Sequence, residues 1–132
     1  MRITADTNIL IRAAIRDDPK QTASALKLLK DAELIAVSLS CLCEFAWVLG
    51  RVYKFGAEDI HIALTALLNT TNMALNRPAA EAGLAMLKAG GDFADAILAF
   101  EGQWLGGEIF ASFDKQAVAL LTRQGQAAML LT

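Results

Sequence analysis

Short aliphatic and β-branched runs alternate along the chain with longer stretches of helical spacing. RITA at 2–5, LIAVS at 34–38, NMAL at 72–75, EIFAS at 108–112 and AAMLL at 127–131 predict five strands. TASALKLLKDA, CEFAWVLGRVY, AEDIHIALTALLN, RPAAEAGLAMLKAG, DFADAILAFEGQWLG and DKQAVALLTRQG carry helical apolar spacing or strong helix formers. That alternation, with short connections, predicts an α/β fold: a mostly parallel central sheet of about five strands, flanked by helices. The 132 residues suffice for one core but not two, and no linker, repeat or low-complexity tract divides them. The expectation is a single domain over 1–132.

Composition adds two constraints. A hydrophobic fraction of 55% and a mean hydropathy of +0.42 are high for one domain, and predict apolar surface shared with a partner, including a second copy in a homodimer. The most apolar segment, LIAVSLSCLCEFAWVLG at 34–50, contains Glu44 and two serines, which argues against a membrane span. The start, MRITADTNIL, has an acid at position 6 and no signal-peptide pattern, so a cytoplasmic protein is expected. Cys41 and Cys43 are too close for an unstrained disulfide and read as core residues. The lone His61 leaves a thiolate-imidazole zinc site short of ligands and weakens any Cys-His or Ser-His nucleophile. No phosphate-cradling glycine motif occurs.

Carboxylates remain. Asp6 follows the first predicted strand, Glu44 lies about one turn into the helix after the second, and Asp114 comes two residues after EIFAS. Asp92 and Asp95 stand alone as charges in GGDFADAILAF. Asp92 can cap the helix that follows Gly-Gly, and Asp95 then falls at its third position, which the helix dipole favours. Asp95 also shares a helical face with Leu98, Ala99 and Gly102, an apolar setting that capping does not explain. Asp6 and Asp114 suit N-caps, and Glu44 suits a first-turn acid. Sites in open α/β sheets form beyond the carboxyl ends of strands, so the four acids Asp6, Glu44, Asp95 and Asp114 also suit one shared site. Spacing leaves both readings open.

ADTNIL at 5–10, SCLCEFAWVL at 40–49, DFADAIL at 92–98 and FASFDKQA at 110–117 resemble the successive motifs of the PIN domain, in order over nearly the whole chain. The resemblance is closest to VapC-type ribonuclease toxins of toxin-antitoxin pairs. It implies a metal-binding nuclease site of Asp6, Glu44, Asp95 and Asp114. Thr7 or Asn8 matches the polar residue after the first acid, and Ser112 the small hydroxyl residue before the last. Asp92 matches an acid beside the third position, as helix cap or as support behind the ligands. It also implies RNA as substrate and a small antitoxin protein as partner.

Physical chemistry is consistent with that site. Two carboxylates about 4 Å apart repel by about 4 kcal/mol at an effective dielectric near 20, a conflict that a divalent cation removes. All-oxygen ligands suit Mg²⁺ or Mn²⁺. The net charge of -2 is no obstacle to a polyanion: with the four acids set aside, ten acids face twelve basic residues, a remainder of +2. Arg12 and Arg16, after Asp6, and Arg51 and Lys54, after the Glu44 helix, are candidates for RNA phosphates. Phe45, Trp47 and Val48, with Trp104 and Leu105, are candidates for a homodimer face and an antitoxin groove. Two other classes fit the sequence less well. A phosphatase or receiver-like phosphoryl-transfer protein lacks its second acid at DTNIL, and an inactive PIN-like binding module is disfavoured by the presence of all four acids.

Overall fold

The computed structural model describes residues 1–132. Backbone contacts divide the chain into two compact units, Met1–Arg77 and Pro78–Thr132. In the first unit the elements are β1 (Arg2–Thr4), α1 (Thr7–Ala14), α2 (Pro19–Asp31), β2 (Leu34–Ala36), α3 (Leu39–Arg51), α4 (Ala57–Leu68) and β3 (Met73–Ala74). β2 lies between β1 and β3, parallel to both, with Ile3 opposite Ile35 and Ile35 opposite Met73. Parallel neighbours require crossovers, which α1–α2 and α3–α4 provide. Ile35, Leu10, Leu42, Phe45, Leu49 and Leu64 are buried completely or nearly so, and they form the core of this unit.

α1 lies where the apolar spacing predicted no helix. Thr7, Leu10 and Ile11 are its buried residues, an i, i+3, i+4 stripe inside only eight residues. The continuous apolar run ILI, with two β-branched isoleucines, hides that stripe, and packing against α2 and α3 overrides propensity. α2 starts at Pro19, three residues before the expected start, because Asp18 caps it by accepting from the Gln21 amide at 3.1 Å and proline suits the first turn. α3 starts at Leu39, four residues early, with Ser38 as cap. Glu44 therefore stands in the second turn, and α3 has no acid in its first turn, so the first-turn setting expected for Glu44 does not apply.

The second unit contains α5 (Arg77–Lys88, which starts at the boundary), α6 (Phe93–Trp104), β4 (Phe110–Ser112), α7 (Lys115–Arg123) and β5 (Ala128–Leu130). β4 and β5 pair in parallel, with Ala111 opposite Met129. Met86, Ala96, Ala99, Leu120 and Leu121 form a buried cluster against which Phe110 and Ala128 pack. All five expected strands exist and all pairings are parallel. They hydrogen-bond as a three-stranded and a two-stranded sheet, not as one sheet of five. Strands of two or three residues carry few ladder bonds, and hydrophobic periodicity does not encode which edges meet. No helix is long and apolar enough to cross a membrane.

The two glycines between α5 and α6 do different work. Gly90 takes a φ of +94°, and Gly91 donates to the Met86 carbonyl at 2.8 Å, closing α5 in the manner of a left-handed C-terminal cap. A Cβ on Gly91 would meet Met86 Sδ at 2.4 Å. Inside α5, a Cβ on Gly83 would lie 2.3 Å from the Phe93 ring. Alanine is the better helix former by about 1 kcal/mol, so the sign of a substitution at position 83 reports the packing. Gly83→Ala is expected to lower stability by about 1–3 kcal/mol in chemical denaturation, since an overpacked contact has to spread; a stabilised variant would show that α5 and Phe93 do not touch in solution.

Candidate functional site

The parallel register brings the chain out of β1 and β2 at one edge of the three-stranded sheet. Just past the ladder, the Ala5 amide donates to the Ala36 carbonyl at 3.0 Å. Asp6 and Ser38 follow in extended conformation and cap α1 and α3. Asp6 Oδ1 accepts from the Thr7 amide at 2.9 Å, and Ser38 Oγ accepts from the Cys41 amide at 3.1 Å. Capping occupies one carboxylate oxygen of Asp6 and leaves Oδ2 without a protein partner. Thr7 is buried, and its hydroxyl donates to Cys41 Sγ at 3.6 Å. Asn8 is exposed. Of the two candidates for the polar residue after the first acid, Thr7 faces α3.

Glu44 is three residues beyond Cys41 on α3, hence on the same side of the helix. Its carboxylate is in no ion pair or hydrogen bond. Burial pushes the Cys41 thiol above its ordinary pKa; the Thr7 hydroxyl draws it back, and the charges of Glu44 and then Asp6 push it further up. Thr7, next to Asp6, and Cys41, one turn before Glu44, are joined by the 3.6 Å hydrogen bond, so the supports of these two candidate acids meet between α1 and α3.

The second unit gathers Asp92, Asp95 and Asp114. Asp92 Oδ1 caps α6 by accepting from the Ala94 amide at 2.8 Å, and Asp95 occupies the third helical position, as expected. Asp114 Oδ1 caps α7 by accepting from the Ala117 amide at 3.1 Å. Ser112 Oγ accepts from the Asp114 amide at 3.0 Å, which holds the turn from β4 into α7. Desolvation, then the charges of Asp92 and Asp114, raise the pKa of Asp95 above its ordinary value of 3.8. The apolar face expected around Asp95 is only half realised: Ala99 is buried, but Leu98 is 60% exposed. The buried stripe of α6 is Phe93, Ala96, Ile97 and Ala99, and Asp95 and Leu98 lie along its margin.

No group of three or more His, Cys, Asp or Glu side chains is arranged to hold a metal ion. Each unit presents its own acids, and all are oxygen donors of the kind that suit a hard cation. Mg²⁺ commonly takes only one or two carboxylates and keeps several waters, which the Asp6 and Glu44 pair fits in donor chemistry.

Among the cationic candidates, Arg12 is in the last turn of α1 and paired with Asp17 at 3.0 Å. Tyr53 also donates to Asp17, at 3.5 Å. Arg16 lies beyond the end of α1 and does not share a helix with Arg12. Arg51 ends α3, two turns or about 10 Å along the axis from Glu44. Lys54 follows in the left-handed region, with φ of +62°. Arg16, Arg51 and Lys54 are exposed and in no ion pair. A cleft of about 650 Å³ between α1 and α2 is lined by Asn8, Arg12, Lys20, Gln21 and Ser24, among others. Lys20 is not among the sequence-based candidates because apolar spacing alone starts α2 at Thr22; Asp18-Pro19 signals the earlier start.

Of the apolar candidates for partner contact, Phe45 is fully buried and belongs to the core, and Val48 is half-buried. Trp47, Trp104 and Leu105 are 60%, 80% and 88% exposed. An apolar groove of about 690 Å³ runs between α1, α2 and α4, lined by Leu10, Leu26, Leu29, Ala63, Ala66 and Leu67 with Phe45 at its floor.

The family model for the PIN domain matches residues 3–120, a span that includes all four expected site acids. A search of the curated proteins finds no match.

The two aspartates of α6 are expected to separate in melts of metal-free protein. Asp92→Ala loses a cap and about 0.5–2 kcal/mol. Asp95 has a raised folded pKa, so between that value and the unfolded one the native state holds more protons than the unfolded state, and stability falls as pH rises through the window. Asp95→Asn is expected to remove that fall and to be more stable than wild type at neutral pH. Urea titrations from about pH 3.5 to pH 7 check both, and a destabilised Asp95→Asn would make its carboxylate a structural acid.

Proposed function

The chain belongs to the PIN domain family, whose members are generally nucleases, and from that premise we propose that it is a Mg²⁺- or Mn²⁺-dependent endoribonuclease, the toxin of a VapBC-type toxin-antitoxin pair. The observation that carries the reading is that Asp6 and Glu44 belong to the neighbouring helix starts that the Thr7–Cys41 contact joins, beyond the carboxyl ends of β1 and β2, with one oxygen of Asp6 and both of Glu44 unengaged. Asp95 and Asp114 supply the later acids of the same reading, supported by the charge of Asp114 acting on Asp95. A divalent ion held by such carboxylates would lower the pKa of a bound water and offset charge on the departing oxygen of a phosphodiester. The chain itself contributes carboxylate oxygens and the capped helix starts that anchor Asp6 on α1 and Asp114 on α7.

Phosphate contacts fall to Arg16, Arg51 and Lys54, which are in no ion pair, and to the cleft beside Asn8 that carries Arg12 and Lys20. A small antitoxin protein would lay an apolar segment into the groove between α1, α2 and α4, and a second copy of the chain would cover exposed side chains such as Trp104 and Leu105. The cytoplasm is the compartment of such a pair.

Turnover of a mixed RNA pool by the purified chain, with and without Mg²⁺ or Mn²⁺, tests the reading. Asp6→Asn and Asp95→Asn are expected to lower metal-dependent cleavage by roughly 100-fold or more, beyond the loss typical of residues that only support a ligand. Metal at a hundred times its dissociation constant is expected to stabilise wild type by about 2.7 kcal/mol. Absence of cleavage by wild type with either metal would favour the binding-module reading, and unaltered cleavage in both variants would move the site elsewhere.

A further inference from the structure

The linkage between Thr7 and Cys41 has no role in the chemistry described so far. Thr7 is one of only two buried polar or charged residues, and the acceptor for its hydroxyl is Cys41 Sγ at 3.6 Å. The two partners are 34 positions apart, one in the first turn of α1 and the other in the first turn of α3. Each is fixed on its own helix by a cap: Asp6 Oδ1 accepts from the Thr7 amide, and Ser38 Oγ from the Cys41 amide. Thr7 is adjacent to Asp6, and Cys41 shares a helix face with Glu44. A contact between these two side chains therefore ties the two acids' supports together at the point where they approach.

We propose that Cys41 is a positioning residue: by accepting from the buried Thr7 hydroxyl it holds the start of α1 against α3 and so sets the separation of Asp6 and Glu44. The proposal rests on the reading of those acids as a metal-binding nuclease pair. Cys41 does not itself contact substrate, and its sulfur is not a ligand in this assignment. The charges of Glu44 and Asp6 both raise the pKa of this thiol, after burial, which raises it most. One hydrogen-bonded cap fixes each helix start but leaves the spacing between the helices to packing and to the single directed contact between Thr7 and Cys41.

The test compares Thr7→Val, which keeps shape and removes the donor, Cys41→Ala, the double variant, and Thr7→Ser, which keeps the donor. Two readouts are taken on the full chain: kcat and KM on an RNA pool with Mn²⁺, and the shift in melting temperature caused by Mn²⁺ alone. Thr7→Val and Cys41→Ala are each expected to lower kcat about tenfold with little change in KM, the scale of loss from a slight misplacement of reacting groups, and to reduce the Mn²⁺-induced shift. Thr7→Ser is expected to recover most of what Thr7→Val loses. The double variant is expected to be no worse than the more impaired single one, because both remove one contact. Wild-type kcat and Mn²⁺ shift in the folded fraction of both single variants would overturn the proposal, as would losses that multiply in the double variant. Wild type that neither cleaves RNA nor responds to Mn²⁺ would overturn the metal reading of Asp6 and Glu44, and this inference with it.

Discussion

Three ladder positions, Arg2 with Leu34, Ile3 with Ile35 and Thr4 with Ala36, fix how β1 and β2 leave their sheet, and the arrangement of Asp6 and Glu44 follows from them. Parallel pairing brings both strands out at the same edge, so the first turns of α1 and α3 start side by side. A slip of one residue would displace one helix start by about 3.3 Å and turn its side chains to the opposite face. The completely buried Ile35 makes such a slip costly, because it is paired to β1 and β3 at once and cannot move without exposing its side chain. A packing constraint inside the sheet thereby controls a polar feature outside it.

Capping and ion binding are often treated as competing explanations for an acid at a helix start. At Asp6 and Asp114 they are compatible, because each cap is made by Oδ1 alone. Capping even serves a site: it anchors the carboxylate to a helix and limits its rotation, so one oxygen is held while the other points to solvent or ligand. Asp95 differs, since it takes no hydrogen bond and is held among like charges and partial burial, a setting that disfavours its ionised form. Glu44, in the second turn of α3, has no dipole argument to explain it. The four acids are therefore physically unlike one another, although in the sequence they look alike.

The apolar excess also resolves into distinct groups. Part of it is ordinary core, as at Phe45, and part forms the walls of the groove between α1, α2 and α4. A third part, at Trp47, Trp104 and Leu105, is left in water. Leaving tryptophan and leucine side chains at such exposure forgoes about 1.5–3 kcal/mol for each fully burying side chain of leucine size. An exposed side chain of this kind singly needs no explanation, but Trp104 and Leu105 are consecutive at the end of α6.

The sequence by itself determined the α/β class, the five strands to within a residue or two, six of the seven helices, and the caps at Asp92 and at the third position for Asp95, because these depend on local periodicity and on side chains bonding to nearby backbone. It also carried the order of motifs that the family match over residues 3–120 bears out. Tertiary structure decided the rest. α1 exists because Thr7, Leu10 and Ile11 find α2 and α3 to pack on, which no local window contains. The early starts of α2 and α3 moved Lys20 into a cleft and Glu44 out of the first turn. Strand pairing as three and two depends on which edges meet, and the Thr7–Cys41 contact joins positions 34 residues apart. Each of these is a relation between distant segments, fixed by burial and register, and a linear pattern of hydrophobic and polar positions has no place to record it.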